Sequence, residues 1–140
     1  MRNIGKYIEG IFLGAALNGC AENMNIPLDN LPNNEYGNYV RMANSECKAG
    51  NYMVAQAYVD SASSFNLGYI DPILETIKGD ISSGKGWTGP ARLSYQIALE
   101  LSNSTINHPE KVRLETVNIA RYLKPRLEER LEKLGSDKSE

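Results

Sequence analysis

The feature that most constrains this chain is an internal echo. Gly50, Ala55, Ala62 and Phe65, moved along the sequence by 36 residues, fall on Gly86, Ala91, Ala98 and Leu101. Seven residues make two helical turns, so the two alanines of each copy stack on one helix face. A seam of such small residues lets a neighbouring helix approach closely, while Tyr58 and Phe65 fill its flanks. Gly50 supplies the left-handed residue that commonly ends a helix, and Asn51 is a good cap for the next. Each seam is preceded by another amphipathic stretch. From Tyr36, Val40, Ala43 and Cys47 share one face, with Tyr39 and Met42 on an adjoining one. Asp71-Pro72 reads as a cap followed by proline at the first helical position, and Leu74, Ile77 and Ile81 form the buried stripe behind it. The spacing predicts an all-α chain of antiparallel helical hairpins.

The second seam helix is predicted to be capped by Thr88 or Gly89, with Pro90 in its first turn. Residues after it read as one long helix that Pro109 opens and Gly135 follows. Val117, Ala120, Leu123, Leu127, Leu131 and Leu134 make its apolar stripe, and Glu129 and Lys133 stand at pairing distance on the exposed face. Pro125 lacks an amide hydrogen and is expected to kink or split the helix. Residues 109–140 hold eight basic and seven acidic side chains, a balance that suits a solvated face. A terminal helix of this kind covers the last open side of a short stack. The helical domain is thus expected over residues 36–135, with a frayed tail at 136–140.

The stretch GDISSGKG at residues 79–86 carries the glycines and lysine of a phosphate-binding loop. That loop needs a strand before it, a helix after it, and Ser or Thr behind the lysine. Here DPILETIK has helical spacing, and Lys85 is followed by Gly86. The glycines are read as a helix–helix turn, which leaves a nucleotide-binding enzyme as a weak alternative.

Other chemistry has little to stand on. The net charge is −2 with a pI near 5.5, which argues against an electrostatic nucleic-acid footprint. The single histidine, His108, precedes Pro109 at a predicted helix start, a place to flank a terminus and not to act as a base. Cys20 and Cys47 form no metal-ligand pattern, and Cys47 reads as a small buried apolar residue. No metal, no cofactor and no catalytic residue is expected.

KAGNYMVAQAYVDSA resembles the inter-helix turn and second helix of a tetratricopeptide repeat. Gly50, Asn51, Tyr52, Ala55 and Ala62 match that family's pattern, and Tyr39, Met42 and Ala43 fit the preceding helix. Glu46 departs where an aromatic is expected, Thr88 replaces the second copy's turn aromatic, and the shift of 36 exceeds the family's usual 34. The same residues also suit an unrelated small helical bundle. The resemblance implies a short repeat stack, residues 36–135, whose concave face holds a peptide or partner helix. Carried over by position, Val40, Asn44 and Lys48 from the first copy and Glu75 and Ser82 from the second would line that groove. Asn44 could bond a peptide backbone and Lys48 meet a carboxylate. Trp87 and Tyr69 fall in loops, where each is expected to cover an edge of the core.

Residues 1–20 run from Arg2 and Lys6 through the apolar Ile11–Leu17 to Asn18-Gly19-Cys20, the order of a secretory signal. The close resembles the lipobox of prokaryotic lipoproteins, which implies acylation at Cys20 and a tether on the outer face of a membrane. Asn18 and Glu9 depart from the pattern. The same residues also read as an amphipathic first helix, with Ile4, Tyr7, Ile8, Ile11, Phe12 and Ala15 as its stripe. Residues 21–35, rich in Asn and Pro, look like a linker. The expectation is therefore a non-enzymatic module that binds a protein or peptide, tethered through Cys20. The alternative is a cytoplasmic helical protein that self-associates and keeps its first helix.

Overall fold

A computed structural model describes residues 31–138. Five helices follow one another: α1 Glu35–Lys48, α2 Tyr52–Ser63, α3 Pro72–Gly84, α4 Thr88–Asn107 and α5 Leu114–Lys138, with a 3-10 turn at Pro109–Lys111 before the last. No strand occurs among the described residues. α1 packs on α2, α3 on α4, and α4 on α5, while α3 also meets both α1 and α2. The all-α array predicted from the spacing is what the chain forms. The lipobox-like segment 1–20, Cys20 and most of the linker lie outside the described residues.

The seams behave as their residues dictate. Ala55, Ala62, Ala91 and Ala98 are fully buried, so each seam presents small methyl groups at which a neighbouring helix can come close. Gly50 and Gly86 both sit at φ +81, reversing the chain after α1 and α3. A Cβ at either would find open space, so only backbone strain opposes one. Gly50→Ala and Gly86→Ala are each expected to cost about 1 kcal/mol, checked by urea unfolding.

Caps set the helix starts. The Asn34 side chain accepts from the Gly37 amide at 2.9 Å, and Asp71 Oδ1 accepts from the Ile73 amide at 2.9 Å, with Pro72 first in α3. Asn51 holds the cap position of α2 without a side-chain cap bond, because its Nδ2 donates instead to Glu46 Oε1 at 2.8 Å.

Four boundaries differ from the sequence reading. Residue 87, not 88 or 89, caps α4. α4 also continues to Asn107, because Ser102, fully buried, extends the stripe of Ala91, Tyr95 and Ala98 by another turn. Pro109 therefore opens only a 3-10 turn. α5 runs through Pro125 and past Gly135 to Lys138. Pro125 is exposed, and Arg126 Nη1 donates to the Tyr122 carbonyl at 2.9 Å on the turn the proline weakens. Residues 31–35 are not a loose linker: Leu31 is buried in the core, Asn34 caps α1 and Glu35 begins it.

Candidate functional site

The stretch at residues 79–86 is the last part of α3 and its turn, and no strand precedes it. Its glycines have separate jobs. Only Gly86 turns the chain. A Cβ on Gly79 would lie 2.5 Å from the Tyr95 ring, and one on Gly84 would collide with the Tyr52 ring. Those two glycines are sockets for tyrosines from α4 and α2.

Beside this packing lies a buried polar cluster that joins three helices. Asp80 on α3 is fully buried. Its Oδ1 accepts from the Tyr95 hydroxyl on α4 at 2.5 Å and from Arg130 Nε on α5 at 2.8 Å. Burial pushes the Asp80 carboxyl up to about 6, against the opposing pull of Arg130 and then of Tyr95. Burial and the neighbouring Asp80 charge push the Tyr95 hydroxyl up as well. Burial alone would lower the Arg130 pKa, but the charge and hydrogen bond of Asp80 outweigh it and keep the guanidinium protonated. Asp80 Oδ2 and Arg130 Nη2 have no protein partner. The cluster is sealed by the helices around it, so it holds α5 to the α3–α4 hairpin and offers no entry to a substrate.

An accessible cleft of about 160 Å³ opens where α1 begins, α2 ends and α3 begins. Tyr36, Phe65 and Leu74 give it apolar walls, and Asp71, Glu75 and Lys78 give it polar ones. The Tyr36 hydroxyl donates to Asp71 Oδ2 at 2.6 Å, and its ring meets Phe65 edge-on at 5.9 Å. Burial, then the Asp71 charge, raises the Tyr36 pKa, so the hydroxyl stays a donor. Asp71 is itself raised by burial. Lys78 Nζ pairs with Glu75 Oε2 at 3.0 Å. At the rim, Tyr69 is 65% exposed and Ile70 54%, so neither covers the core. Trp87 is likewise exposed, with the Lys85 ammonium 4.5 Å above its ring.

The residues carried over as a groove differ widely in exposure. Val40 is fully buried in the core. With no exposed surface it cannot line an open groove. Asn44 is 3% exposed and its Oδ1 has no partner. Lys48 is exposed, Ser82 is half-buried, and Glu75 belongs to the cleft just described. Cys47 is buried as expected, but its sulfur is in a disulfide. Glu129 and Lys133 form no ion pair; both point to water, where pairing gains little. His108 ends α4 and caps the 3-10 turn, exposed to solvent.

No family profile, curated protein or solved structure matches this chain. Its site must be read from its own residues. Among the described residues no cluster of His, Cys, Asp and Glu could hold a metal, and no helix is long and apolar enough to cross a membrane. A broad hollow between α4 and α5, about 700 Å³, is bordered by Leu99, Leu131, Glu128, Glu129 and Glu132; it is too open to orient a ligand. Sequence reasoning missed Tyr36, Asp71 and Phe65 as parts of one cleft. They come from three elements and meet only after the hairpins stack.

Proposed function

We propose that this protein is a helical-hairpin interaction module of the tetratricopeptide-like kind, and that it grips a partner protein through the cleft at the α1, α2 and α3 ends. The observation behind this reading is the pair Tyr69 and Ile70, exposed at the rim of a cleft with aromatic walls and a Glu75–Lys78 edge. A cleft of about 160 Å³ suits one large side chain of the partner. Tyrosine and other large anchors carry much of the affinity of such contacts, while the polar edge fixes orientation. Buried Tyr36 and Leu74 hold the walls in place before the partner arrives, which lowers the ordering cost of binding.

The test is capture of partners from the native host with three baits: wild type, Tyr69→Ser with Ile70→Ser, and Asn44→Ala with Lys48→Ala. Removing both rim anchors is expected to cut recovery of the specific partner by about tenfold or more, with the fold unchanged by circular dichroism. The Asn44 and Lys48 variant is expected to recover it normally. Equal recovery with the rim variant overturns the cleft reading.

A further inference from the structure

We infer that the α1 face carrying Arg41, Asn44 and Lys48 is occupied by this chain's own amino-terminal segment, fastened there by a disulfide between Cys20 and Cys47. The inference concerns a different surface from the cleft and does not rest on the partner-binding reading.

Four observations point this way. First, the chain entering α1 doubles back along it. From the cap Asn34, Pro32 presses its carbonyl against Gly37, so closely that a Cβ there would overlap it. Arg41 then clasps the backbone further on: Nη2 donates to the Leu31 carbonyl at 3.0 Å and Nη1 to the Pro32 carbonyl at 3.3 Å. Arg41 Nη1 also lies 3.3 Å from Asn38 Oδ1, so the guanidinium reaches back along α1 and pins residues 31 and 32 beside that helix's first turns.

Second, Gly37, Arg41, Asn44 and Lys48 recur at steps of four, three and four, one continuous helix face. The backbone strap follows the first half of that face. Third, Asn44, further along it, is 97% buried, taking its exposure of 3% from the whole, and its Oδ1 has no partner. A buried amide oxygen without a donor is costly, and a peptide backbone N–H lying along this face would satisfy it. Fourth, the Cys47 sulfur is disulfide-bonded, and the chain has one other cysteine, Cys20. Cys20 lies eleven positions before Leu31, a stretch that spans up to about 36 Å when extended. The helical rise from residue 37 to 47 is only about 15 Å, so the reach is ample.

The chemistry balances. The thiols of Cys20 and Cys47 lose two protons and two electrons, one S–S bond forms, and a disulfide-bearing oxidant is reduced to two thiols. This requires an oxidising compartment. A sulfur in a thioether cannot enter a disulfide, so this inference and acylation of Cys20 exclude each other.

The test uses the full chain purified from its native host without reductant, digested with trypsin under acid-quenched, alkylated conditions. The peptide of residues 7–41 is expected to be joined to that of residues 42–48, and to separate from it on reduction. Cys20→Ser is expected to weaken the folding equilibrium by on the order of a hundredfold and to raise backbone exchange at Arg41 and Asn44; reduction of wild type should do the same. Alkylated free thiols at both positions, an acylated Cys20, or a disulfide that joins two chains would each overturn the inference. Unchanged exchange on α1 in a Cys20→Ser variant that still folds would overturn the docking even if the bond forms.

Discussion

Arg130→Met is expected to destabilise the fold by about 3–5 kcal/mol at pH 7, because it leaves a buried carboxylate without its counter-charge. Methionine fills the space of the arginine stem, so the loss measures the charge and not a cavity. Asp80 is fully buried, and among the described residues Arg130 is the only cation bonded to it, from a side chain 12% exposed. The remaining donor, the Tyr95 hydroxyl, cannot neutralise a charge. A second signature separates this from ordinary loss of packing. In wild type burial raises Asp80 from 3.8 to about 6. A carboxyl whose folded pKa lies above its unfolded value binds protons more tightly when folded. Its stabilising contribution is complete below the unfolded pKa and is lost as pH rises through the folded one. Wild type is therefore expected to gain about 1 kcal/mol between pH 7 and pH 5. The Arg130→Met deficit should shrink over the same interval, as the proton replaces the guanidinium. Urea midpoints at both pH values check this, with Asp80→Asn as the variant in which the pH dependence disappears. A deficit that stays constant from pH 7 to pH 5 would show that Asp80 does not titrate there.

That cluster also marks where the sequence stops being legible. The seams were legible because their information is local: Ala55 and Ala62, or Ala91 and Ala98, meet their neighbours whatever lies beyond the hairpin. The left-handed Gly50 and Gly86 were legible for the same reason. Arg130 was not. In a helix with charge on nearly every turn it looks like any solvated cation, and its partner lies 50 positions upstream. The available sign was on α3, where Asp80 stands three positions after Ile77 and next to Ile81, beside the buried stripe, a place where a carboxylate needs a buried partner. The candidate cleft was half legible. Glu75 was placed on a binding face through the repeat register, but Tyr36 and Phe65 looked like plain core aromatics. The α2–α3 loop that brings Tyr69 and Ile70 beside them has no periodic signal. Val40 was misplaced because helical spacing gives the angle between residues and not which face the next helix covers.

Gly79→Ala is expected to be destabilising by about 2–3 kcal/mol, against the ordinary preference of helices for alanine. Two effects oppose. Alanine in a helix interior gains about 1 kcal/mol over glycine. Against it, the new methyl would stand 2.5 and 2.6 Å from two carbons of the Tyr95 ring, and overpacking of a filled core costs about 1–3 kcal/mol. Tyr95 has nowhere to go, being 2% exposed with its hydroxyl held by Asp80. Any retreat of the ring also weakens a hydrogen bond to a charged group, worth about 1.5–3 kcal/mol. The sum of the two penalties exceeds the propensity gain. Gly84→Ala is the informative contrast. Its methyl would meet the Tyr52 ring, but Tyr52 is the first residue of α2 and half-exposed. It can swing aside, so the loss should be less than half as large. In a Tyr95→Leu background, where no ring fills the socket, Gly79→Ala should turn neutral or stabilising. Thermal midpoints of the four variants decide the matter: additive losses at Gly79 and Tyr95 would show that the glycine is there for some reason other than the ring.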